Sequence, residues 1–285
     1  MLSRLLKSIG KPSPAQTQPA ADRAGPEMER ERWLDAAHAR VPVELHRRIQ
    51  FGGLTVAGLD FLTLVDGCLR DSHTGVRPLK AFHRYQAALH LARYFAHTID
   101  VPGERVECGV FTGTMSLLMC RLARARRPAF DGTGFHMVDS FAGLSRPGPE
   151  DALEFRENPD GGALGVFGYG QGAMAAPIEK ARHSMREFPG VRMHQGWIPA
   201  VLASLPDAPF AFVHIDVDLY EPTLACLEHF HPRLAAGGAI VCDDYGAPRF
   251  PGAARAWDEY CARRDVPFVV LDTGQSVILR DAAPA

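Results

Sequence analysis

The six cysteines of this 285-residue chain never form a C-x-x-C pair. That absence removes the commonest zinc and dithiol readings, and no short disulfide framework can be drawn either. Cys68, Cys108, Cys120, Cys226, Cys242 and Cys261 are scattered instead. Cys108 and Cys242 lie in apolar, strand-like runs and Cys226 in a helical one, so buried free thiols in a reducing compartment are expected. No stretch approaches the roughly 18 uninterrupted apolar residues that span a bilayer, and no stable membrane insertion is expected. The opening MLSRLLKSIGKPS lacks the apolar core and small-residue cleavage site of a secretory signal, which makes the expected location cytoplasmic. Positive charge is not in excess: the formal net charge is -2. An electrostatic nucleic-acid binder is therefore not expected. What the chain does have is 46% hydrophobic content, enough for one sizeable domain with an appendage or for two small domains.

Three regions are expected. Residues 1–28 read as a disordered lead, of which 11–28, KPSPAQTQPAADRAGPEM, are rich in Pro, Ala and polar residues. Residues 29–98 read as a helical cap. Within it KAFHRYQAALHLARYFAHT repeats Ala81, Tyr85, Ala88, Leu89, Ala92 and Phe95 at helical spacing. His83, His90 and His97 recur seven apart on that helix and read as solvent-facing or pocket-rim residues. From residue 99 to 285 strands alternate with helices, which argues for an α/β core with a doubly wound parallel sheet. Seven strands can be drawn. The last two, in PFVVLDTGQSVILRD, are joined by Asp272-Thr273-Gly274-Gln275 as a hairpin, so one strand must run antiparallel. The glycine-rich stretch from Ala142 to Gly172 is too long for a plain connection and reads as a mobile lid, with Phe155, Phe167 and Tyr169 as contact residues.

The acids carry the chemistry. AFVHIDVDLYEPTLACLEHFHPRLAAGGAIVCDDY reads as strand, crossover helix, strand. Its strands end in Asp216 and Asp218, and in Asp243 and Asp244. Parallel neighbours point the same way, so both clusters converge on one sheet edge. Acids so close repel one another unless something positive lies between them, and Mg²⁺ or another hard divalent cation is the simplest partner. Helix capping or arginine pairing is the alternative. The first strand ends in Glu107-Cys108-Gly109-Val110-Phe111-Thr112-Gly113-Thr114. Gly109 and Gly113 allow a sharp turn and close approach to a ligand, ahead of a helix start. Glu107 suits a bound ammonium better than a pyrophosphate. Asp139, followed by Ser140, is placed to accept from ribose hydroxyls, or to brace its loop. Gly196 and Trp197 end another strand, where the Trp packs beside an adenine ring or in the core.

ECGVFTG, VDSFAGL, HIDVDLYEPT and GGAIVCDDYG resemble the macrocin O-methyltransferase family over roughly residues 80–280. The resemblance implies a Rossmann-like fold that binds S-adenosylmethionine (SAM), with a seven-stranded, mostly parallel sheet and an antiparallel last strand. It implies methylation of a sugar hydroxyl or other vicinal diol. It also implies Asp216, Asp243 and Asp244 around Mg²⁺, with Glu107 and Asp139 at the cofactor; beside these, the strand ends and turns themselves offer Gly109, Val110, Gly113, Thr114, Ser140, Gly196, Trp197 and Asp216 as expected cofactor residues. Asp216 is the candidate general base. A small glycoside acceptor and a homo-oligomer are the implied partners. Two positions depart from the pattern: the family usually has Arg or Lys before Gly113 and a Gly after it, where this chain has Thr112 and Thr114. Two rival readings stand beside it. One is a nucleotide-sugar glycosyltransferase using Asp216-Val217-Asp218. The other is a non-catalytic binding protein on the same fold.

Overall fold

The computed structural model describes Arg48 and residues 50–73, 78–157 and 163–281, without the side chains of 78–82 and 155–165. The expected disordered lead and most of the first expected helix lie outside the described residues, as does the side chain of Phe155. A two-residue ribbon, Thr55–Val56 with Leu59–Asp60, leads into helix α1 (Phe61–Asp71), which Asp60 caps by accepting the Thr63 N–H at 2.9 Å. Helix α2 follows (Pro78–Thr98).

The core alternates as its sequence pattern predicts: β1 (Glu104–Cys108), α3 (Thr114–Arg126), β2 (Phe135–Asp139), α4 (Ile178–Ser184), β3 (Arg192–Gln195), β4 (Phe210–Ile215), α5 (Tyr220–Phe230), β5 (Leu234–Cys242), α6 (Pro251–Arg264), β6 (Val269–Val270) and β7 (Ser276–Leu279). The sheet order is β6-β7-β5-β4-β1-β2-β3. Pairs from β5 to β3 are parallel, whereas β7 runs antiparallel to both β5 and β6. All six residues of β4 are buried, which is the expected state of a central parallel strand covered by helices on both faces. Its Val213 and Ile215 join Val106, Cys108, Ile240 and Cys242 in the main core, where Trp257 and Tyr260 of α6 also pack. All six cysteines are buried and free.

Helix α4 is short. The chain turns after Ser184, with the Met185 N–H donating to Ala181 O at 3.0 Å and the Phe188 N–H to Met185 O at 2.8 Å. Pro189 disfavours helix at Phe188, which fits this early end. The glycine-rich stretch is tied at its stem: the Leu144 N–H donates to Ala173 O and the Gly172 N–H to Leu144 O, both at 2.9 Å. Inside it, Glu154–Glu157 pairs antiparallel with Ala163–Val166. Buried Asp151 anchors this excursion to the core by accepting the Tyr220 N–H at the start of α5 at 2.8 Å.

Helix α2 docks on the terminal hairpin through its histidine row. His83 Nε2 lies 2.9 Å from Thr273 O, and His90 Nδ1 lies 3.2 Å from Thr273 Oγ1. Its C-terminal carbonyls Thr98 O and Ile99 O are met by the buried Arg105 guanidinium. Among the described residues no helix is long and apolar enough to cross a membrane.

Candidate active site

Register builds the site. Cys108 pairs with Val138 on one side and Ile215 on the other, and Ile215 pairs with Cys242. Four parallel strands therefore end level. The residues just beyond are stitched across the edge: the Gly109 N–H donates to Val138 O at 2.9 Å, Asp216 N–H to Cys108 O at 2.8 Å, and Asp243 N–H to Ile215 O at 2.9 Å. Gly109 has φ +86, and a Cβ there would lie 1.7 Å from Asp216 O. Only glycine permits the strand ends to approach so closely.

A cavity of about 690 Å³ opens over this edge, walled by α2, the Gly109–Gly113 turn, the ends of β2 to β5 and the loop before α6. All ten residues expected at the cofactor except Gly113 line it. Gly113, at φ +83, instead begins α3. The cavity does not hold them all in the expected way. Asp139 uses both oxygens on backbone: Oδ2 accepts from Val110 N–H at 2.7 Å and Phe111 N–H at 3.0 Å, and Oδ1 from Phe141 N–H at 2.6 Å. Ser140 likewise braces its loop, donating to Gly143 O at 2.9 Å. Thr114 Oγ1 lies 2.8 Å from Ser72 Oγ at the end of α1. Trp197 is not a core residue; it is 42% exposed on the cavity wall.

Glu107 is 1% exposed on the cavity floor, and both its oxygens are engaged. Ser116 Oγ donates to Oε2, and His214 Nδ1 lies 3.0 Å from Oε1. The partner follows from register, because Glu107 pairs with His214 across β1 and β4. The other ring nitrogen of His214 lies 3.9 Å from Asp243 Oδ1, an ion-pair distance, and has no hydrogen-bond partner among the described residues. Burial opposes charge on this imidazole, but the carboxylates of Asp243 and Glu107 outweigh it and raise its pKa to about 10. Sequence reasoning missed His214, although its place two residues before Asp216 was a signal.

The aspartates divide differently from the expected trio. Asp216, Asp218 and Asp244 place one carboxylate oxygen each within 4.8 Å of one another. Asp218 reaches the cluster because its backbone is left-handed (φ 65) and its N–H donates to Asp244 Oδ2 at 2.8 Å. Asp243, expected in the trio, turns to Gln275, whose Nε2 donates to its Oδ1 at 2.7 Å, and to His214. Burial and the facing charges of Asp243 and Asp244 push Asp216 well above the usual carboxylate range. Asp218 and Asp244 are pushed the same way, by burial and by neighbouring aspartates. On Asp243 burial acts in that direction too, but His214 and Gln275 outweigh it and lower its pKa. Three carboxylates whose crowding disfavours their charged forms, with only oxygen donors, fit a hard divalent cation.

On the far side of the cavity Tyr169 stacks on Phe250, ring centres 5.3 Å apart, and its hydroxyl accepts from Arg249 Nη1 at 3.0 Å. The excursion from 144 to 172 thus delivers an aromatic wall.

Comparison with known proteins accords with this geometry. A curated relative from Streptomyces olivaceus, the 8-demethyl-8-(2,3-dimethoxy-alpha-L-rhamnosyl)-tetracenomycin-C 4'-O-methyltransferase, is 32% identical over 51% of this chain and 54% of its own. A demethyldecarbamoylnovobiocin O-methyltransferase from Streptomyces niveus is 31% identical over 59% of this chain and 61% of its own. The chain thus spans between half and two thirds of these relatives' length. Among solved structures, the O-methyltransferase NovP superposes with a TM-score of 0.56 at 26% identity, covering 69% of this chain and 80% of its own. A calicheamicin methyltransferase at 21% identity shares the fold, with a TM-score of 0.55 over 76% of this chain and 91% of its own. The family described as macrocin O-methyltransferase (TylF) matches residues 83–276. With four level strand ends, a reversed β7 and that match over most of its length, the chain belongs to the macrocin O-methyltransferase family.

Proposed function

We propose that this protein transfers the methyl group of SAM to a hydroxyl of a sugar, or of another vicinal diol, carried by a small glycoside. The observation that carries the reading is the Asp216, Asp218 and Asp244 cluster, on the wall of the same cavity as the Gly109–Gly113 turn. The relatives' names supply the acceptor class: one acts on a rhamnosyl-bearing tetracenomycin and another on a novobiocin precursor.

In this reading the donor's amino-acid end lies over the Gly109 turn, and its adenosine between Asp139, Ser140 and Trp197. Asp218 and Asp244, with Asp216, would hold Mg²⁺ or a similar divalent cation. When bound, the cation supplies positive charge that lowers the pKa of the acceptor hydroxyl. Asp216 takes the hydroxyl proton. Asp243, held by His214 and Gln275, keeps the β5 end in place. Most of the acceleration comes from lining up oxygen, methyl carbon and sulfur in a closed site. The Asp216-Val217-Asp218 triplet then belongs to the cation cluster rather than to a nucleotide-sugar diphosphate site.

The cation role is tested without turnover by titrating Mn²⁺ into the SAM-loaded protein and following free ion by electron paramagnetic resonance. One bound ion per chain, lost in Asp244→Asn, is expected. Equal Mn²⁺ uptake by the variant, or none by the wild type, would remove the cation from the account.

A further inference from the structure

Charge around the cavity is one-sided. Six carboxylates line it: Glu107, Asp139, Asp216, Asp218, Asp243 and Asp244. Among the described lining residues, Arg84 is the one side chain with a permanent positive charge. It lies on α2 in helical register with Ala87, Ala88 and Leu91, at i, i+3, i+4 and i+7, and all four line the cavity. The first turn of α3, Thr114 and Met115, lines the same cavity, and Gly113 ahead of it supplies no side-chain cap. Arg84 has no hydrogen bond or ion pair with any described residue, in contrast to Arg105, Arg121 and Arg124, which are all engaged. Thr112, in the turn after β1, is uncharged and buried, with its carbonyl accepting from Ser184 Oγ at 2.6 Å.

The donor of the proposed reaction carries three charges. Its sulfonium and its ammonium are drawn to an acid-lined cavity. Its carboxylate is repelled by it and needs a counter-charge. We infer that Arg84 binds the carboxylate of the donor's amino-acid end, as a cation supplied from helix α2 rather than from the turn after β1. This rests on the SAM reading of the site. The planar guanidinium suits the task, because it meets a carboxylate with two parallel N–H groups. It also gives α2 a direct part in donor binding: the helix that His83 and His90 dock on the terminal hairpin would present the one group that holds the donor's anionic end.

The test compares two ligands on the full chain by isothermal titration calorimetry. S-adenosylhomocysteine keeps the carboxylate; 5′-methylthioadenosine lacks the whole amino-acid end. Arg84→Met should weaken S-adenosylhomocysteine by roughly 10- to 100-fold, the range expected for one charge-assisted contact. Its affinity for methylthioadenosine should stay within about twofold, which also shows that the variant is folded. Arg84→Lys should recover part of the loss. Unchanged S-adenosylhomocysteine affinity, or an equal loss for both ligands, would overturn the assignment. A wild-type protein that binds neither ligand would overturn the SAM reading itself.

Discussion

Replacing Asp139 with Asn separates two roles that the sequence leaves open. The carboxylate accepts three backbone N–H groups, from Val110, Phe111 and Phe141. Two of these donors, Phe111 (φ 51) and Phe141 (φ 55), occupy the left-handed region. Such positions cost non-glycine residues on the order of 1–3 kcal/mol each and persist only where surrounding bonds hold them. An amide of the same shape keeps one accepting oxygen for Val110 and Phe111 but turns an NH₂ toward the Phe141 N–H. One charge-assisted bond is lost, about 2 kcal/mol, and the facing donors add about 1 kcal/mol. The expected destabilisation of about 3 kcal/mol lowers Tm by roughly 6–12 °C for a unit of this size. Thermal unfolding followed by circular dichroism reads it. If Asp139 served only as an acceptor for ribose hydroxyls, Asn would weaken SAM and leave Tm unchanged. That result would refute the clamp.

Two other substitutions probe the frame. Gly109→Ala should prevent accumulation of folded protein or cost more than about 4 kcal/mol, because the added carbon must displace Asp216 O and part β1 from β4. Gly58→Ala has a similar φ of +80 but nothing within 4 Å. It should cost only about 1 kcal/mol, and equal effects in chemical denaturation would contradict the close-approach argument. Glu187→Gln tests the ion-pair cluster joining α1, α3 and the chain after α4. Burial works against the charge of Glu187, but hydrogen bonds from Arg124 and Arg121 outweigh it and hold its pKa below the ordinary 4.5. A depressed carboxyl pKa contributes stability above the unfolded value that is lost as pH falls through the folded value. The variant should therefore be less stable at neutral pH and lose less between neutral pH and acid than the wild type. Parallel stability profiles would argue against the pairing.

The sheet was legible because its cues are local. Apolar runs closed by acids or glycine mark β1, β2, β4 and β5, and the turn around Gly274 reverses β7. The site was legible to the level of the strand that carries each residue, since adjacent parallel strands must bring their ends together. Which oxygen faces which was not. The exchange of Asp243 for Asp218 in the carboxylate cluster depends on a left-handed backbone at Asp218 and on Gln275, which arrives from the turn between β6 and β7. Asp139 could be placed at the edge, but periodicity does not say that three backbone amides fill its lone pairs. The Glu107–His214 pair depends on register between β1 and β4, which no single segment encodes. Arg84 carries no cue in the helical pattern, because the acids it faces come from strand ends far along the chain.

The most direct test of the account is mass spectrometry of the full chain incubated with methyl-labelled SAM and a panel of glycosides, with and without a chelator. Transfer of the label to a sugar hydroxyl, abolished by the chelator and restored by excess Mg²⁺, is the predicted result. Transfer that proceeds undiminished in the chelator, or a label that reaches no glycoside while the protein binds SAM, would contradict it.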